Sequence, residues 1–209
     1  MERDLQLGPK DTEFGLVLMM ARAAEAKDPT MGDHLRNVSK YTFALARSLG
    51  IQEAQAKELA QASMLHDIGK LMVPDRILQK PRPLTKKEWV VIRRHPEEGV
   101  RMLGNSPSLS LAREVVRWHH EKMDGSGYPD GLKKDHIPLH VAIVTVADVY
   151  DALTSFRPYK IAWPVEKAAE ELRRLRGRKF HPEVVDCFVT LLEQGHFSDV
   201  DLRGVPQGT

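Results

Sequence analysis

Several histidines and aspartates of this sequence have the residue types and positions of metal ligands. Each lies near an end of a predicted helix or within an apolar helical segment. Burying an imidazole or a carboxylate costs free energy unless the group forms hydrogen bonds or binds a metal ion. A hydrogen-bonded histidine or a helix-capping aspartate explains each residue taken singly, but a metal centre explains the whole set. The set comprises His66, Asp67, His95, His119, His120 and Asp148.

These ligand types indicate a particular chemistry. Imidazole nitrogens and carboxylate oxygens suit iron, manganese or zinc. A carboxylate can also bridge two ions about 3.5–4 Å apart, and such a pair activates a water molecule while it binds the oxygens of a phosphoryl group. The set therefore favours metal-dependent hydrolysis of a phosphate ester.

Length and composition limit the alternatives. The chain has 209 residues, of which 42% are hydrophobic, with 31 Lys and Arg against 29 Asp and Glu. A single domain of this size buries roughly 70% of the surface of its unfolded chain, so it needs neither a structural metal nor disulfides. The near-neutral charge and the scattered aromatic residues argue against polymeric nucleic acid as a partner.

The sequence also predicts a compartment. Cys187 is the single cysteine, which is typical of a protein in a reducing cytosol. The apolar stretch 14–21 is too short to span a bilayer, and the first residues lack the basic start of a secretory signal. We therefore expect a cytoplasmic protein without membrane insertion.

Apolar residues recur with helical spacing along most of the chain, which predicts an all-α fold of roughly eight to ten helices. We expect one domain over 28–195, preceded by an N-terminal linking helix within 1–27 and followed by a polar tail, 196–209. The glycine-rich stretch 122–136 is predicted to be a structured loop with little to bury. The predicted helices cover 12–26, 30–49, 52–68, 85–94, 96–104, 108–121, 137–149, 164–175 and 182–194.

The helix at 137–149 competes with a strand, because Val141, Ile143 and Val144 suit a buried strand. Three features favour the helix. Pro138 suits a first helical turn, the apolar pattern continues through Leu153, and no second strand is available for pairing.

Four motifs resemble the HD-GYP family of cyclic di-GMP phosphodiesterases, a branch of the HD metal-dependent phosphohydrolases. They are HDIGK at 66–70, HPEEG at 95–99, HHEKMDGSGYP at 119–129 and ADVYDALTSFRPYK at 147–160. The resemblance covers about 28–195 with the motifs in order, and it implies an all-helical fold. It also implies hydrolysis of cyclic di-GMP to the linear dinucleotide, or on to GMP, by a hydroxide held at a dinuclear metal site.

The resemblance assigns two divalent metal ions, iron or manganese. It implies that one ion is held by His34, His66, Asp67 and Asp148. It implies that His95, His119 and His120 hold the other, with Asp67 bridging the two. Family members with three metals carry a glutamate at the position of Thr30, so we expect two ions here.

The resemblance also assigns residues to the substrate. Lys70 is implied to contact a phosphate or to protonate the leaving oxygen. Gly127, Tyr128 and Pro129 match the signature loop, in which the tyrosine could stack on the nucleotide, and Arg157 and Lys160 match a basic pair that binds phosphates. The residues alone leave other interpretations open: a solvated cation for Lys70, a packed loop tyrosine, and a surface turn at 157–160.

Other positions depart from the family pattern or fall outside it. Phe156 and His181 stand where the family has aspartates. His136, His140 and His196 match no ligand position, so we expect structural or surface roles for them.

Two further functions remain open at this point. One is a hydrolase of another nucleotide that uses the same centre. The other is a catalytically weak module that senses cyclic di-GMP or docks a partner. We expect regulation to come from another protein or from a segment absent here, because residues 1–27 suffice only for a linking helix. The partners expected are a second copy in a homodimer or a signalling protein.

Overall fold

The computed structural model describes residues 9–27, 34–155 and 161–197. The α-helices in this part are α1 (Pro9–Ala26), α2 (His34–Ser48), α3 (Glu53–Ser63), α4 (Asp75–Leu78), α5 (Lys86–Ile92), α6 (His95–Leu103), α7 (Ser110–Trp118), α8 (Leu139–Thr154), α9 (Val165–Leu175) and α10 (Pro182–Glu193). Short 3-10 turns cover Ile68–Met72, Pro107–Leu109 and Lys134–His136. The described residues form no strand, and the predicted all-α fold is confirmed.

Helix α8 runs through the centre of the core and packs against α2, α7, α9 and α10. Every residue from Val141 to Ala147 is buried. A helix that contacts neighbours on all sides is apolar on all sides, which explains why its composition resembles that of a buried strand. The predicted helix at 137–149 is confirmed, with bounds of Leu139–Thr154.

Two predicted helices end earlier than expected. Helix α3 ends at Ser63 rather than 68, and turns carry the chain through His66 and Asp67 into the 3-10 turn Ile68–Met72. Helix α7 ends at Trp118 rather than 121, so His119 and His120 follow it. Apolar spacing cannot detect these ends because the turns that follow also bury their side chains.

Glycines allow the turn after Asp67 to lie directly on α6. A Cβ atom on Gly69 would lie 1.9 Å from the backbone oxygen of His95, which no side chain can tolerate. On the facing helix, a Cβ atom on Gly99 would lie 2.6 Å from a methyl carbon of Val116. The missing side chains therefore bring the backbone of the HDIGK motif against the helix that begins at His95.

The ends of the described chain also pack on the core. Ala21 and Ala24 of α1 are buried, and α1 contacts the 3-10 turn Ile68–Met72. At the other end, the ring of Phe197 lies 4.9 Å from the ring of Tyr41 and 5.5 Å from that of Phe188. The domain limits at 28 and 195 stay a prediction.

Candidate metal centre

The predicted ligands come from separate segments that meet beside α8. His34 begins α2, and His95 begins α6. His66 and Asp67 lie in the turns after α3, His119 and His120 follow α7, and Asp148 lies on α8. Most of the candidate ligands therefore lie where helices begin or end, and α8 contributes Asp148.

Backbone carbonyls orient three of the imidazoles. The Nδ1 atom of each lies close to the carbonyl oxygen three residues earlier, at 2.7 Å for His66, 2.8 Å for His95 and 3.0 Å for His119. A carbonyl oxygen can only accept, so Nδ1 carries the proton. In the neutral ring, Nε2 then has a free lone pair that points into the centre.

A buried carboxylate orients the fourth imidazole. The Nδ1 atom of His34 lies 2.6 Å from Oδ2 of Asp151. Asn37 and Ser155 donate further hydrogen bonds to this carboxylate, at 3.0 and 3.1 Å. Asp151 was not predicted from the sequence, although its position three residues after Asp148 places both carboxylates on one face of α8.

The Nε2 atoms face one another in pairs. His34 and His66 approach to 3.3 Å through their Nε2 atoms, and so do His95 and His119. Two imidazole nitrogens at this distance repel each other unless a proton or a metal ion lies between or beside them. The arrangement fits a metal ion at each pair.

Asp67 connects the two pairs. Its Oδ2 atom lies 3.2 Å from Nε2 of His66, and its Oδ1 atom lies 3.2 Å from Nε2 of His95. Oδ1 is buried and receives no hydrogen bond within the described structure. A carboxylate that turns one oxygen to each histidine pair has the geometry of a bridging ligand.

Two sets of side chains could each hold a metal ion, and Asp67 belongs to both. Asp148 adjoins the first set, because its Oδ1 atom lies 3.5 Å from Nε2 of His34. The structure thus brings together all the ligand positions expected from the sequence. The first set is His34, His66 and Asp67, and the second is Asp67, His95, His119 and His120.

Burial and neighbouring charges strongly perturb these groups. Burial opposes ionisation of Asp67, but the Lys70 ammonium and the His66 imidazole hold the pKa of its carboxyl well below the usual range. Burial also opposes charge on His66, yet Asp67 and Asp148 raise the pKa of that imidazole to about 9. For His120, burial and the adjacent histidines lower the pKa well below its usual value. The centre therefore holds ionised carboxylates that attract a cation.

Lys70 lies one turn beyond Asp67. Its Nζ atom is 2.5 Å from Oδ2 of Asp67, and its side chain is 21% exposed. The ammonium group therefore lies between the centre and solvent, where it could contact a bound anion.

The signature loop covers the second ligand set. The ring of Tyr128 stacks on that of His120 with centroids 4.6 Å apart, and the guanidinium of Arg93 lies 5.1 Å from the tyrosine ring centroid. A Cβ atom on Gly127 would lie 2.5 Å from Cα of Glu121, so the loop can approach this closely only with glycine there. Tyr128 is therefore packed on a candidate ligand and also borders the centre.

Glu121 holds this loop, a role that was not predicted from the sequence. Its buried carboxylate accepts backbone N–H groups of Asp130, Gly131 and Leu132 at 2.7, 2.9 and 2.9 Å. The available signal was a carboxylate directly after His119-His120 and just before a glycine-rich loop. The carboxylate therefore holds the backbone of the loop against the turn that follows α7.

Several predictions concern residues outside the part of the chain that the structure describes. These are the phosphate-binding role of Arg157 and Lys160 and the departures at Thr30 and Phe156.

His181 precedes α10 without a side-chain capping bond. His140 pairs with Glu114 at 2.8 Å, and neither it nor His136 belongs to a ligand set.

The fold and the clustered histidines and aspartates define an HD domain. Residues 18–184 match the HD domain family, and the chain belongs to that family. Phosphohydrolases of this family depend on metals, in agreement with the His and Asp cluster found here.

Particular relatives refine this assignment. The chain is 40% identical over 188 residues to a 3'3'-cGAMP-specific phosphodiesterase 2 of Vibrio cholerae, covering 89% of this chain and 36% of the relative. It is 41% identical over 184 residues to a cyclic di-GMP phosphodiesterase of Thermotoga maritima, covering 87% and 50%. The chain thus spans half or less of the length of these relatives. The predicted resemblance to HD-GYP phosphodiesterases is confirmed.

A solved structure supports the fold. An HDG"Y"P protein from Bdellovibrio bacteriovorus aligns with a TM-score of 0.66 and 23% identity, over 88% of this chain and 62% of that one. Among the described residues, no helix has both the length and the apolar character needed to cross a bilayer.

Proposed function

We propose that this chain is a metal-dependent phosphodiesterase that hydrolyses cyclic di-GMP to the linear dinucleotide. The observation that carries the proposal is the pair of ligand sets joined by Asp67, with Nε2 atoms facing inward at 3.3 Å. The Thermotoga maritima relative, a cyclic di-GMP phosphodiesterase, supports this choice of substrate.

A second substrate has specific support. The Vibrio cholerae relative is a 3'3'-cGAMP-specific phosphodiesterase and is nearly as similar to this chain. Both substrates are cyclic dinucleotides with two phosphodiesters, so the metal centre alone does not discriminate between them. The bases must be distinguished by side chains around the centre.

We assign two divalent ions to the centre, iron or manganese. His34, His66, Asp67 and Asp148 would hold one of them. His95, His119 and His120 would hold the other, together with the second oxygen of Asp67. When bound, the ions supply an activated water molecule and positive charge for the phosphoryl oxygens.

Other side chains act on the substrate in this proposal. Lys70 places its ammonium beside the reacting phosphate, where it stabilises developing negative charge or protonates the leaving oxygen. Tyr128, with Gly127 and Pro129, forms the wall on which a base can stack. Arg157 and Lys160 bind substrate phosphates.

The protein's setting is also a proposal. The cytoplasm suits a chain with a single cysteine, Cys187, and a substrate that is a soluble nucleotide. Regulatory input would come through a homodimer or a signalling-protein partner.

The decisive experiment compares substrates on protein of known metal content. Protein prepared without chelator should contain about two equivalents of iron or manganese and should hydrolyse cyclic di-GMP faster than linear dinucleotides. 3'3'-cGAMP serves as the competing substrate, and chromatography identifies whether the product stops at the linear dinucleotide. Metal-replete protein that binds cyclic di-GMP without turnover would instead support a sensor. Three firmly bound ions would contradict the argument from Thr30.

Kinetics separate the two roles assigned to positive charge. Lys70→Ala should lower kcat by about hundredfold, because its charge acts on the reacting phosphate. Arg157→Ala or Lys160→Ala should raise KM about tenfold with little change in kcat. If KM is unchanged in both of the latter variants, Arg157 and Lys160 do not bind substrate phosphates, and residues 157–160 are a surface turn.

A further inference from the structure

A basic segment surrounds helix α5. Residues 80–94 contain six Lys and Arg and a single Glu, whereas the whole chain has 31 Lys and Arg against 29 Asp and Glu. The rest of the chain therefore has more acidic than basic side chains. A local excess of one sign attracts partners of the opposite charge.

Helix α5 also exposes large apolar side chains. None of its residues is buried, and the side chains of Trp89 and Val90 are 48% and 55% exposed. A helix this short is not stable by its own hydrogen bonds. It is fixed at its start by a capping box, in which Thr85 and Glu88 each accept the other's backbone N–H. The helix is therefore held in place while two apolar side chains face solvent.

The charged and apolar side chains share one surface of the helix. Lys86, Trp89, Val90 and Arg93 are three or four residues apart, so the helix places them together, and Lys87 adjoins Val90 by the same spacing. The guanidinium of Arg93 lies 6.0 Å from the ring centroid of Trp89. All five residues are exposed. We call these five residues the α5 face.

The cations of the α5 face have no carboxylate within ion-pairing distance among the described residues. In the helix itself, Glu88 pairs with Lys80 at 2.5 Å. One turn beyond Arg93, the charge of the exposed Glu97 acts on Arg117. The α5 face therefore presents three unpaired cations around an exposed tryptophan.

We propose that the α5 face docks an acidic segment of a partner protein, with an apolar side chain of that segment packed on Trp89. Trp and Arg are the residue types enriched at the centres of protein interfaces. Cations grouped around an apolar centre are complemented by carboxylates around an apolar side chain. This inference rests on the signalling-protein partner of the proposed function, for which it gives the surface and the chemistry.

The α5 face adjoins the metal centre. The backbone oxygen of Ile92, the last residue of α5, lies 2.8 Å from Nδ1 of His95 and orients that candidate ligand. The guanidinium of Arg93 lies 5.1 Å from the ring centroid of Tyr128. A partner on the α5 face would therefore contact the helix that orients one candidate ligand and an arginine that packs on the signature loop.

The test measures binding of a fluorescein-labelled peptide that repeats Glu-Leu-Asp-Phe, by fluorescence anisotropy with the full chain. Wild-type protein should bind this peptide, and the affinity should fall as salt is added. A peptide with Gln and Asn in place of the acids should bind far more weakly. Lys86→Gln combined with Lys87→Gln should raise Kd about tenfold, and Trp89→Ala should raise it about tenfold or more.

Matched controls come from other exposed positions. Lys133→Gln combined with Lys134→Gln also removes two exposed lysines, and Met19→Ala truncates an apolar side chain of α1 that is 68% exposed. Both controls should leave Kd for the acidic peptide unchanged. Equal weakening in the control and α5 variants, or no binding to the wild-type protein, would overturn the proposal.

Other occupants give other results. Binding to phosphatidylserine vesicles that depends on the α5 face, without binding of the acidic peptide, would overturn a protein partner. Self-association of the wild-type chain that the α5 variants lose would overturn it too, since the occupant would then be a second copy.

The outcomes also separate this inference from the proposed function. Hydrolysis of cyclic di-GMP is measured on the same preparations without peptide. Protein that binds the acidic peptide through the α5 face but never hydrolyses cyclic di-GMP would overturn the proposed substrate and leave the docking surface intact. Hydrolysis of cyclic di-GMP without binding of the peptide would overturn the docking surface alone.

Discussion

Asp151 offers a test of how the centre is built, because it contacts the Nδ1 atom of His34, which faces away from the other candidate ligands. Its carboxylate is 1% exposed and lies 2.6 Å from Nδ1 of His34. This contact sets which nitrogen of His34 carries the proton and which way the ring faces. No other candidate ligand depends on Asp151, so its loss should affect one metal position more than the other.

The expected size follows from the type of contact. Removing a partner behind a metal-binding histidine commonly weakens metal affinity about 10- to 100-fold, or about 1.4–2.8 kcal/mol. Asp151→Asn keeps the shape and one acceptor oxygen but loses the charge, so we expect the lower end of this range. Asp151→Ala leaves the Nδ1–H of His34 without an acceptor, so we expect the upper end.

The assay titrates Mn²⁺ into metal-free protein against a competing chelator and counts bound equivalents by elemental analysis. One of two equivalents should weaken and the other should change little. Ser155→Ala is the matched control, because it removes a different hydrogen bond to the same carboxylate, at 3.1 Å, and does not touch His34. Unchanged affinity in Asp151→Ala, with native thermal unfolding, would refute the reasoning. Equal loss of both equivalents would also refute it.

Three further predictions concern the bridge, the loop and the glycine contact. Elemental analysis should find that Asp67→Ala loses both metal ions, because the carboxylate faces both histidine pairs, whereas His119→Ala keeps the first ion. Glu121→Gln should lower the free energy of unfolding by about 1.5–3 kcal/mol in denaturant titration, because the buried carboxylate accepts three backbone N–H groups of the loop. Gly69→Ala should destabilise by about 1–3 kcal/mol because its Cβ atom would meet the backbone of His95, whereas Gly15→Ala in α1, with nothing within 4 Å, should be neutral or slightly stabilising.

Much of the centre could be predicted because its ligands carry a signal in the residues themselves. An imidazole or carboxylate in an apolar helical segment is conspicuous, so His66, Asp67 and Asp148 could be found from type and position. His34 required the family resemblance, because it lies at the start of its helix without a distinctive neighbour. The all-α fold was also accessible, since helical spacing extends through nearly every segment.

The supporting residues could not be predicted in the same way. Asp151 contacts a histidine 117 positions away, and nothing near either residue indicates the pairing. Glu121 belongs to the HHEKMDGSGYP motif, but its role depends on a loop that folds back over it. The ends of α3 and α7 were missed because the turns after them continue to bury side chains. Such features depend on tertiary contacts rather than on local propensity.

Helix α1 shows how far the centre extends beyond its ligands. Glu25 accepts the backbone N–H of Leu35 at 3.1 Å, in the first turn of the helix that begins with His34. Two residues later, Lys27 donates to the backbone oxygen of Leu71 at 3.2 Å, next to Lys70. One end of α1 therefore contacts both the helix that presents a candidate ligand and the turn that presents the candidate phosphate-binding lysine. A domain boundary at 28 would place these two contacts outside the unit whose geometry they stabilise.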